Sequence, residues 1–239
     1  MHPLIYVAFI AIAAGFVKGL TGFGSSLVTI PLLSLIYPIA DVVVMMLTFN
    51  VLLNTLLLVR EGGFKLDSLN YVLPISLTGI IGTFIGLYLL VNLEGSWISY
   101  IAGGLILFAV LNKLLRLNIT LKENILTKSI AGFFSGIGNG IASIDGPPVV
   151  FYLTGVKANK LKFKNTLAFH FLVMGVIAVV FLIVKNMYTV LLLKQTLYFG
   201  VFASLSLLVG IRVSNKLNEQ VFEKVILFVL IFLAISMFV

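Results

Sequence analysis

The chain has 239 residues, of which 61% are hydrophobic and 10% are charged, and its mean hydropathy is +1.20. Soluble domains carry about 25% charged residues, so this composition excludes a soluble protein and indicates one that lies in a lipid bilayer. The formal net charge of +8 does not indicate a nucleic-acid partner, because Lys and Arg fall between apolar segments, as they do in the cytoplasmic loops of membrane proteins. The absence of cysteine excludes disulfides and thiolate metal sites.

Charged and turn-forming residues divide the chain into eight apolar elements. A spanning helix needs about 20 apolar residues. Six of the elements have that length, whereas the first and the fifth are too long for one helix. In chain order the elements are residues 3–37, 42–59, 71–91, 97–112, 125–155, 166–184, 195–211 and 221–239. The sequence therefore predicts an all-α polytopic membrane protein that forms a single membrane domain over residues 1–239.

Both long elements contain a cluster of glycines near the middle, and each glycine destabilises a helix by about 1 kcal/mol relative to alanine. The glycines are Gly15, Gly19, Gly22 and Gly24 in the first element, and Gly132, Gly136, Gly138, Gly140 and Gly146 in the second. Each long element is therefore predicted to be a broken helical hairpin. The sequence does not distinguish re-entrant hairpins from pairs of short full spans.

An offset of 117 residues superposes the two long elements. The pairs that it brings together are Ala14 with Ala131, Gly15 with Gly132, Phe16 with Phe133, Gly19 with Gly136, Ser26 with Ser143 and Pro31 with Pro148. Self-similarity at a fixed offset indicates an internal repeat. Repeat one comprises residues 1–117 and repeat two residues 118–239, each with a broken or re-entrant hairpin and three transmembrane helices.

The distribution of Lys and Arg decides the predicted topology. If each long element returns to the side from which it entered, thirteen basic residues lie on one side and only Lys185 and Lys194 on the other. If each crosses once, the basic residues divide almost evenly, against the positive-inside rule. We therefore expect returning hairpins in the plasma membrane, with basic loops in the cytoplasm and both termini outside. Each half then has three full crossings. Because three is an odd number, the second half enters the membrane in the opposite orientation to the first, and the two repeats are inverted.

Interrupted helices at matching positions of inverted repeats indicate a substrate site near the bilayer midplane. The alternative is that the glycines only permit close helix packing. Gly146, Pro147 and Pro148 favour the first interpretation, because they suit the first turn of a helix. The N-terminus of such a helix presents free N–H groups, which suit an anion.

Two motifs stand out: Gly-Phe-Val-Lys-Gly-Leu-Thr-Gly-Phe-Gly at residues 15–24, followed by Pro31, and Gly-Pro-Pro-Val-Val-Phe-Tyr-Leu at residues 146–153. The chain resembles the TauE/SafE family of membrane transporters, which includes sulfite and organosulfonate exporters. The resemblance covers nearly the whole chain and implies export of sulfite or a related anion, with the glycine-rich motifs at the pore or site. Asp145 departs from it, since a small residue is expected before Gly146.

Three ionisable residues lie within the apolar elements, where a charge at a helix centre costs about 2.5 to 3.5 kcal/mol and usually faces a cavity or a partner. Lys18 either counters a substrate anion or extends to the interface. Asp145 either carries a coupling proton, pairs with Lys18, or caps the helix that begins at Gly146. His170 either relays protons or is a hydrogen-bonded packing residue. Asp145 and His170 are the predicted candidates for proton coupling.

Polar and glycine residues near the breaks complete the predicted site. Asn50 and Asn54 stand four apart on one helix face, where they either bind substrate oxygens or hold neighbouring helices together. The basic segment 157–164 is expected to anchor at anionic cytoplasmic lipid. The predicted substrate-binding residues are Lys18, Gly19, Thr21, Gly22, Gly24, Asn50, Asn139, Ser143, Gly146 and Pro147.

Together with the resemblance, these features predict a secondary transporter that moves a small anion, an oxidised sulfur compound such as sulfite or an organosulfonate, by proton-coupled alternating access. The alternatives are a passive anion channel and a transporter of an unrelated small organic anion. An enzyme is not expected, because the chain has no His-Glu-x-x-His motif and a single Asp within its apolar elements. The expected partners are the anion and the bilayer, with no nucleic acid, metal or cofactor, and a homo-oligomer stays open.

Overall fold

The computed structural model describes residues 3–60, 69–114, 120–218, 220, 221 and 224. Within these residues the chain forms nine α-helices and no strand. They are α1 (Pro3–Thr21), α2 (Ser25–Leu33), α3 (Ile39–Arg60), α4 (Leu69–Asn92), α5 (Gly95–Leu114), α6 (Ile125–Ala142), α7 (Gly146–Gly155), α8 (Lys160–Val184) and α9 (Val190–Asn215). Of these described helices, α1, α3, α4, α8 and α9 are long and apolar enough to cross a membrane, as a polytopic membrane protein requires. The predicted element 221–239 lies almost wholly outside the described residues.

Both glycine clusters coincide with a helix break at which the chain folds back. Residues 22–24 separate α1 from α2, and residues 143–145 separate α6 from α7. The Tyr6 hydroxyl donates to the Leu32 carbonyl at 3.3 Å, and the Leu121 N–H donates to the Gly155 carbonyl at 3.0 Å. The start and end of each pair therefore lie at the same end of the molecule.

The second helix of each hairpin is too short to cross a bilayer. α2 has 9 residues and α7 has 10, which at 1.5 Å per residue gives about 15 Å, half of the roughly 30 Å hydrocarbon core. These lengths favour re-entrant hairpins over pairs of full spans, the two cases that the sequence left open.

The start of α8 differs from the prediction. The helix begins at Lys160 rather than at residue 166, because the Asn159 side chain accepts a hydrogen bond from the Lys162 N–H at 2.9 Å and so caps it. Lys160, Lys162 and Lys164 of the basic segment 157–164 therefore lie in the first turns of α8, and Lys157 precedes the helix.

Two lysines of this segment point into the protein. Lys164 is fully buried, and the Lys160 ammonium donates to the carbonyl oxygens of Ser214 and Leu217 at the end of α9. Lys160 thus satisfies carbonyls that the last turn of a helix leaves open. The prediction that the segment anchors to lipid is wrong for these two residues.

Glycines bring α1 against α9, and α6 against α4, backbone to backbone. A Cβ on Gly15 or Gly19 would overlap the backbone of α9, and one on Gly132 or Gly136 that of α4. The carbonyl oxygens concerned are those of Ala203 and Leu207 in α9, and those of Ile75 and Gly79 in α4. Residue numbers rise together along each pair, so the paired helices run parallel. Small residues four apart allow this close approach.

The two helix pairs repeat one another residue by residue. The contact between Gly15 of α1 and Ala203 of α9 corresponds to the contact between Gly132 of α6 and Ile75 of α4. The offset is 117 residues between α1 and α6, and 128 between α4 and α9. The breaks depart from the first offset: residues 22–24 would fall on 139–141, whereas the second break lies at 143–145, one helical turn later.

We expect Gly136→Ala to destabilise the protein by about 1 to 3 kcal/mol, because its methyl group would overlap the Gly79 carbonyl and force α6 from α4. Gly104→Ala is the matched control, since no atom lies within 4 Å of its added Cβ. It should be neutral or stabilise α5 by up to about 1 kcal/mol. Thermal unfolding in detergent measures both, and equal melting temperatures for the two variants would contradict the packing described.

Candidate functional site

The two helix breaks and the middle of α3 meet in the interior, where Asn50 joins them. Its Oδ1 accepts from the Lys18 Nζ at 3.4 Å and from the Ser25 hydroxyl at 2.8 Å. Its Nδ2 donates to the hydroxyls of Ser26 at 2.9 Å and Ser143 at 3.1 Å. All four hydrogen-bonding positions of the amide are therefore used. Asn50 connects α1 and α2 of the first hairpin to the end of α6 in the second.

A direct contact also joins the two breaks. The Ser26 hydroxyl donates to the Ser143 hydroxyl at 3.2 Å. These two serines are a pair that the offset of 117 residues superposes in sequence. Ser26 lies in the first turn of α2, and Ser143 follows the last residue of α6. The repeated motifs thus come together in space.

Lys18 is the basic residue of this centre. It lies in the last turn of α1 and is 1% exposed, so it does not extend to the membrane interface. Its ammonium lies 5.6 Å from the centroid of the Phe171 ring, within the range of a cation–π contact. Of its three donor hydrogens, one makes the long bond to Asn50. Lys18 therefore retains donor capacity toward an anion in a buried setting.

The first break is shaped by Thr21 and two glycines. The Thr21 hydroxyl bonds the carbonyl oxygens of Val17 at 2.8 Å and Phe23 at 2.9 Å. Gly22 and Gly24 both have φ of +91°, a conformation that side chains with a Cβ rarely adopt. The structure thus gives these three predicted site residues a role in the turn itself.

The second break places Asp145 before α7 at 7% exposure. Asp145 occupies the N-cap position of α7, where its side chain makes no capping hydrogen bond, and the N–H groups of Asp145 and Gly146 lie beside its carboxylate. Asp145 and Lys18 are near enough for their charges to interact, but they form no direct salt bridge. Pro147 and Pro148 occupy the first turn of α7, where their missing N–H groups cost nothing.

His170 contacts the second break through Ser135. Its Nε2 lies 3.0 Å from the Ser135 hydroxyl, which donates to the Asp145 carbonyl at 2.6 Å. Because that hydroxyl hydrogen is already used, Nε2 carries the imidazole proton, and Nδ1 accepts from the Ser76 hydroxyl at 3.3 Å. Both ring nitrogens are satisfied in the neutral form and His170 is fully buried. This arrangement is that of a hydrogen-bonded packing histidine.

The remaining predicted residues lie around the centre. Gly19 packs on the backbone of α9, and Gly146 packs on the Phe23 side chain. Asn139 lies one turn before Ser143, whose N–H donates to its carbonyl at 2.7 Å. The sequence analysis did not include Ser25, Ser26 and Ser135 among the predicted site residues. Their position beside the glycine clusters, where a hydroxyl can bond the backbone of a broken helix, was the signal that could have identified them.

The residues of the centre are buried. Lys18, Asn50 and Asp145 are each no more than 7% exposed. At the end where α1, α3 and α9 begin, a cavity of about 330 Å³ includes Lys194 and Gln195 in its lining. None of the central residues lines this cavity.

The opposite end, which we call the basic face, is where α6 and α8 begin. Glu123 lies 3.8 Å from the Lys128 ammonium and 3.1 Å from that of Lys162. Both ammonium groups also cover the Tyr71 ring, at 4.1 and 3.7 Å from its centroid. The Tyr71 hydroxyl donates to that of Tyr152 at 3.2 Å. These contacts tie the starts of α4, α6 and α8 to α7.

A family model described as "Sulfite exporter TauE/SafE" matches residues 7–237. The match covers both helix breaks and the central cluster. No curated protein matches the chain, and no solved structure does.

Asn50→Leu should destabilise the protein by roughly 2 to 4 kcal/mol, because it removes the acceptor of the buried Lys18 ammonium and Ser25 hydroxyl. Ser26 and Ser143 lose the amide N–H bonds and keep only the bond to each other. Thr55→Val is the control on the same helix, since the Thr55 hydroxyl is exposed and bonds only its own helix. Melting temperatures in detergent should fall for Asn50→Leu alone. A melting temperature at the wild-type value would show that the amide does not hold the breaks together.

Proposed function

Because the chain belongs to the TauE/SafE family, we propose that it is a secondary transporter that exports a small oxidised sulfur anion, sulfite or an organosulfonate, by alternating access. The family match supports transport of a sulfur compound. The buried centre supports a single binding site between the two helix breaks.

The observation that carries the proposal is the burial of Lys18 at the first break. A lysine inside a membrane protein needs an anionic or polar partner, because a charge at the bilayer centre is costly. Lys18 has a long hydrogen bond to Asn50, an aromatic face and a distant carboxylate. An anion that binds between the breaks would supply the missing partner and would use the donor capacity of the ammonium.

Inverted repeats are part of this proposal. The matched packing of α1 on α9 and of α6 on α4 supports an internal duplication. The basic face collects the charges of α6, α8 and the end of α9, which supports its placement in the cytoplasm under the positive-inside rule. The cavity beside Lys194 then faces outward.

The burial of the centre supports a carrier rather than an open channel, because an open channel needs a continuous path past its binding residues. The Glu123–Lys162 ion pair at the basic face is partly exposed, and such a pair contributes about 0 to 1 kcal/mol. We place substrate uptake at the basic face and release through the outer cavity.

Asp145 is the residue we propose for proton coupling. It is buried beside α7 without a side-chain cap and lies within electrostatic range of Lys18. Protonation of Asp145 would leave the positive charge of Lys18 less compensated and so favour binding of the anion. We propose no coupling role for His170, because in its neutral form both ring nitrogens already have serine partners.

Lys18→Gln should reduce the initial rate of radiolabelled sulfite counterflow in proteoliposomes. A hydrogen bond to a charged group contributes about 1.5 to 3 kcal/mol, which corresponds to roughly 10- to 150-fold. Lys216→Gln is the control, because Lys216 is an exposed lysine at the end of α9 and should transport at the wild-type rate. Lys18→Gln with full activity toward sulfite, thiosulfate and a small sulfonate would disprove the site.

Asp145→Asn should transport the anion without responding to an imposed pH gradient, because the amide cannot take up or release a proton. His170→Gln should keep the response of the wild type. Uptake in proteoliposomes with and without the gradient measures both variants. If Asp145→Asn responds as the wild type does, the coupling proton is not on Asp145.

A further inference from the structure

Some buried polar side chains of the structure have atoms without a hydrogen-bond partner. In the described part of the chain these atoms are Ser34 Oγ, Asn54 Nδ2 and Oδ1, Asn139 Nδ2, Asn165 Oδ1, Ser204 Oγ and Ser214 Oγ. Proteins seldom leave such groups unpaired, because a buried donor without a partner loses its hydration and gains nothing in return. Each one that lies beside the candidate site therefore requires an explanation.

Two of these groups lie one helical turn from the central cluster. Asn54 is fully buried and follows Asn50 by four residues along α3, so both amides share one face of the helix. Asn139 is 2% exposed and lies on α6 between Ser135 and Ser143, which both take part in the second break. Each half of the chain thus contributes one amide with an unpaired Nδ2 beside the centre.

The other unpaired atoms do not fit an anion site at the centre. Asn165 has only its oxygen among these unpaired atoms, and an oxygen accepts hydrogen bonds and would repel an anion, whereas Asn54 and Asn139 each have an unpaired Nδ2 that can donate. Ser34 caps the end of α2, Ser214 lies in the last turn of α9, and Ser204 lines an apolar groove between α3 and α9. The open amide donors beside the centre belong to Asn54 and Asn139.

We propose that the amide groups of Asn54 and Asn139 bind the oxygen atoms of the transported sulfur oxyanion, with Lys18 as the charge partner. This inference rests on the proposed transport function and goes beyond it, because it assigns the hydrogen bonds that recognise the substrate. Asn50, by contrast, belongs to the framework, since its amide is saturated by Lys18 and three serines.

The two classes of asparagine differ in the expected effect of removing the amide. Replacing an amide whose hydrogen-bonding positions are all used leaves the groups that bonded it with one hydrogen bond fewer, so it destabilises the protein. Replacing Asn54, whose two amide atoms have no partner, or Asn139, whose Nδ2 has none, removes an unpaired polar group from the interior, so it leaves stability unchanged or raises it. A binding amide is therefore recognised by a loss of substrate affinity without a loss of stability.

The test compares wild type with Asn54→Leu, Asn139→Leu and the matched variant Asn50→Leu, each as the full chain. Leu has nearly the shape of Asn without its polar atoms. Two quantities are measured: the KM for radiolabelled sulfite in proteoliposome counterflow, and the melting temperature in detergent with sulfite or with chloride. Bound sulfite should raise the melting temperature of the wild type.

For Asn54→Leu and Asn139→Leu we expect a KM at least about tenfold higher, equivalent to one lost hydrogen bond to a charged group. Their melting temperatures in chloride should equal or exceed that of the wild type, and sulfite should no longer raise them. Asn50→Leu should melt at a lower temperature. The sulfite-induced shift also gives a readout for a variant that is folded but less stable.

Several results would overturn the inference. Wild-type KM values in both Leu variants would show that the amides do not bind the anion, while the proposed transport function would stand. A lower melting temperature with an unchanged sulfite shift would assign Asn54 and Asn139 to the framework. Absence of transport and of any shift in the wild type, for sulfite, thiosulfate and a sulfonate, would overturn the transport function and this assignment together.

Discussion

Two helices end inside the hydrophobic interior, and hydrocarbon offers no hydrogen bonds to the backbone groups that a helix end leaves open. The protein satisfies these groups with its own side chains and turns. Thr21 bonds carbonyls at the first break, Ser135 bonds the Asp145 carbonyl at the second, and the Ser143 and Ile144 N–H groups return to α6. Asn50 then joins the two breaks. The position of every candidate site residue follows from this requirement.

The sequence predicted the breaks because they depend on local chemistry. Glycine and proline weaken a helix wherever they occur, so the clusters before Ser25 and around Gly146 mark the break regions without knowledge of the fold. The partners of the glycines were beyond sequence reasoning, because Gly15 meets Ala203 through contacts between remote parts of the chain. The start of α8 was missed for a similar reason. A lysine-rich segment resembles a loop unless one knows that α9 ends beside Lys160 and leaves carbonyls open.

In the candidate site, too, the sequence predicted what depends on residue type and missed what depends on contacts between remote parts of the chain. The sequence identified Lys18, Asn50, Ser143 and Asp145, because a charge or amide in an apolar segment is conspicuous. It placed Asn50 and not Asn54 among the predicted substrate-binding residues, although the two are the same residue type one turn apart. Their difference depends on which neighbours reach them: four groups bond the first amide, whereas no described group bonds the second. His170 is a comparable case, since the serines that bond its ring come from α4 and α6.

The glycine contacts also determine which parts of the molecule can move as units. Backbones in direct contact have no layer of flexible side chains between them, so α1 with α9, and α6 with α4, behave as two rigid bodies. Each body combines a hairpin helix from one half of the chain with a spanning helix from the other. A rocking of one sequence half against the other would shear both contacts. In the proposed transporter, exposure of the centre to alternate sides would therefore require sliding between these interlocked bodies, with α3 and α8 as the packed layer between them.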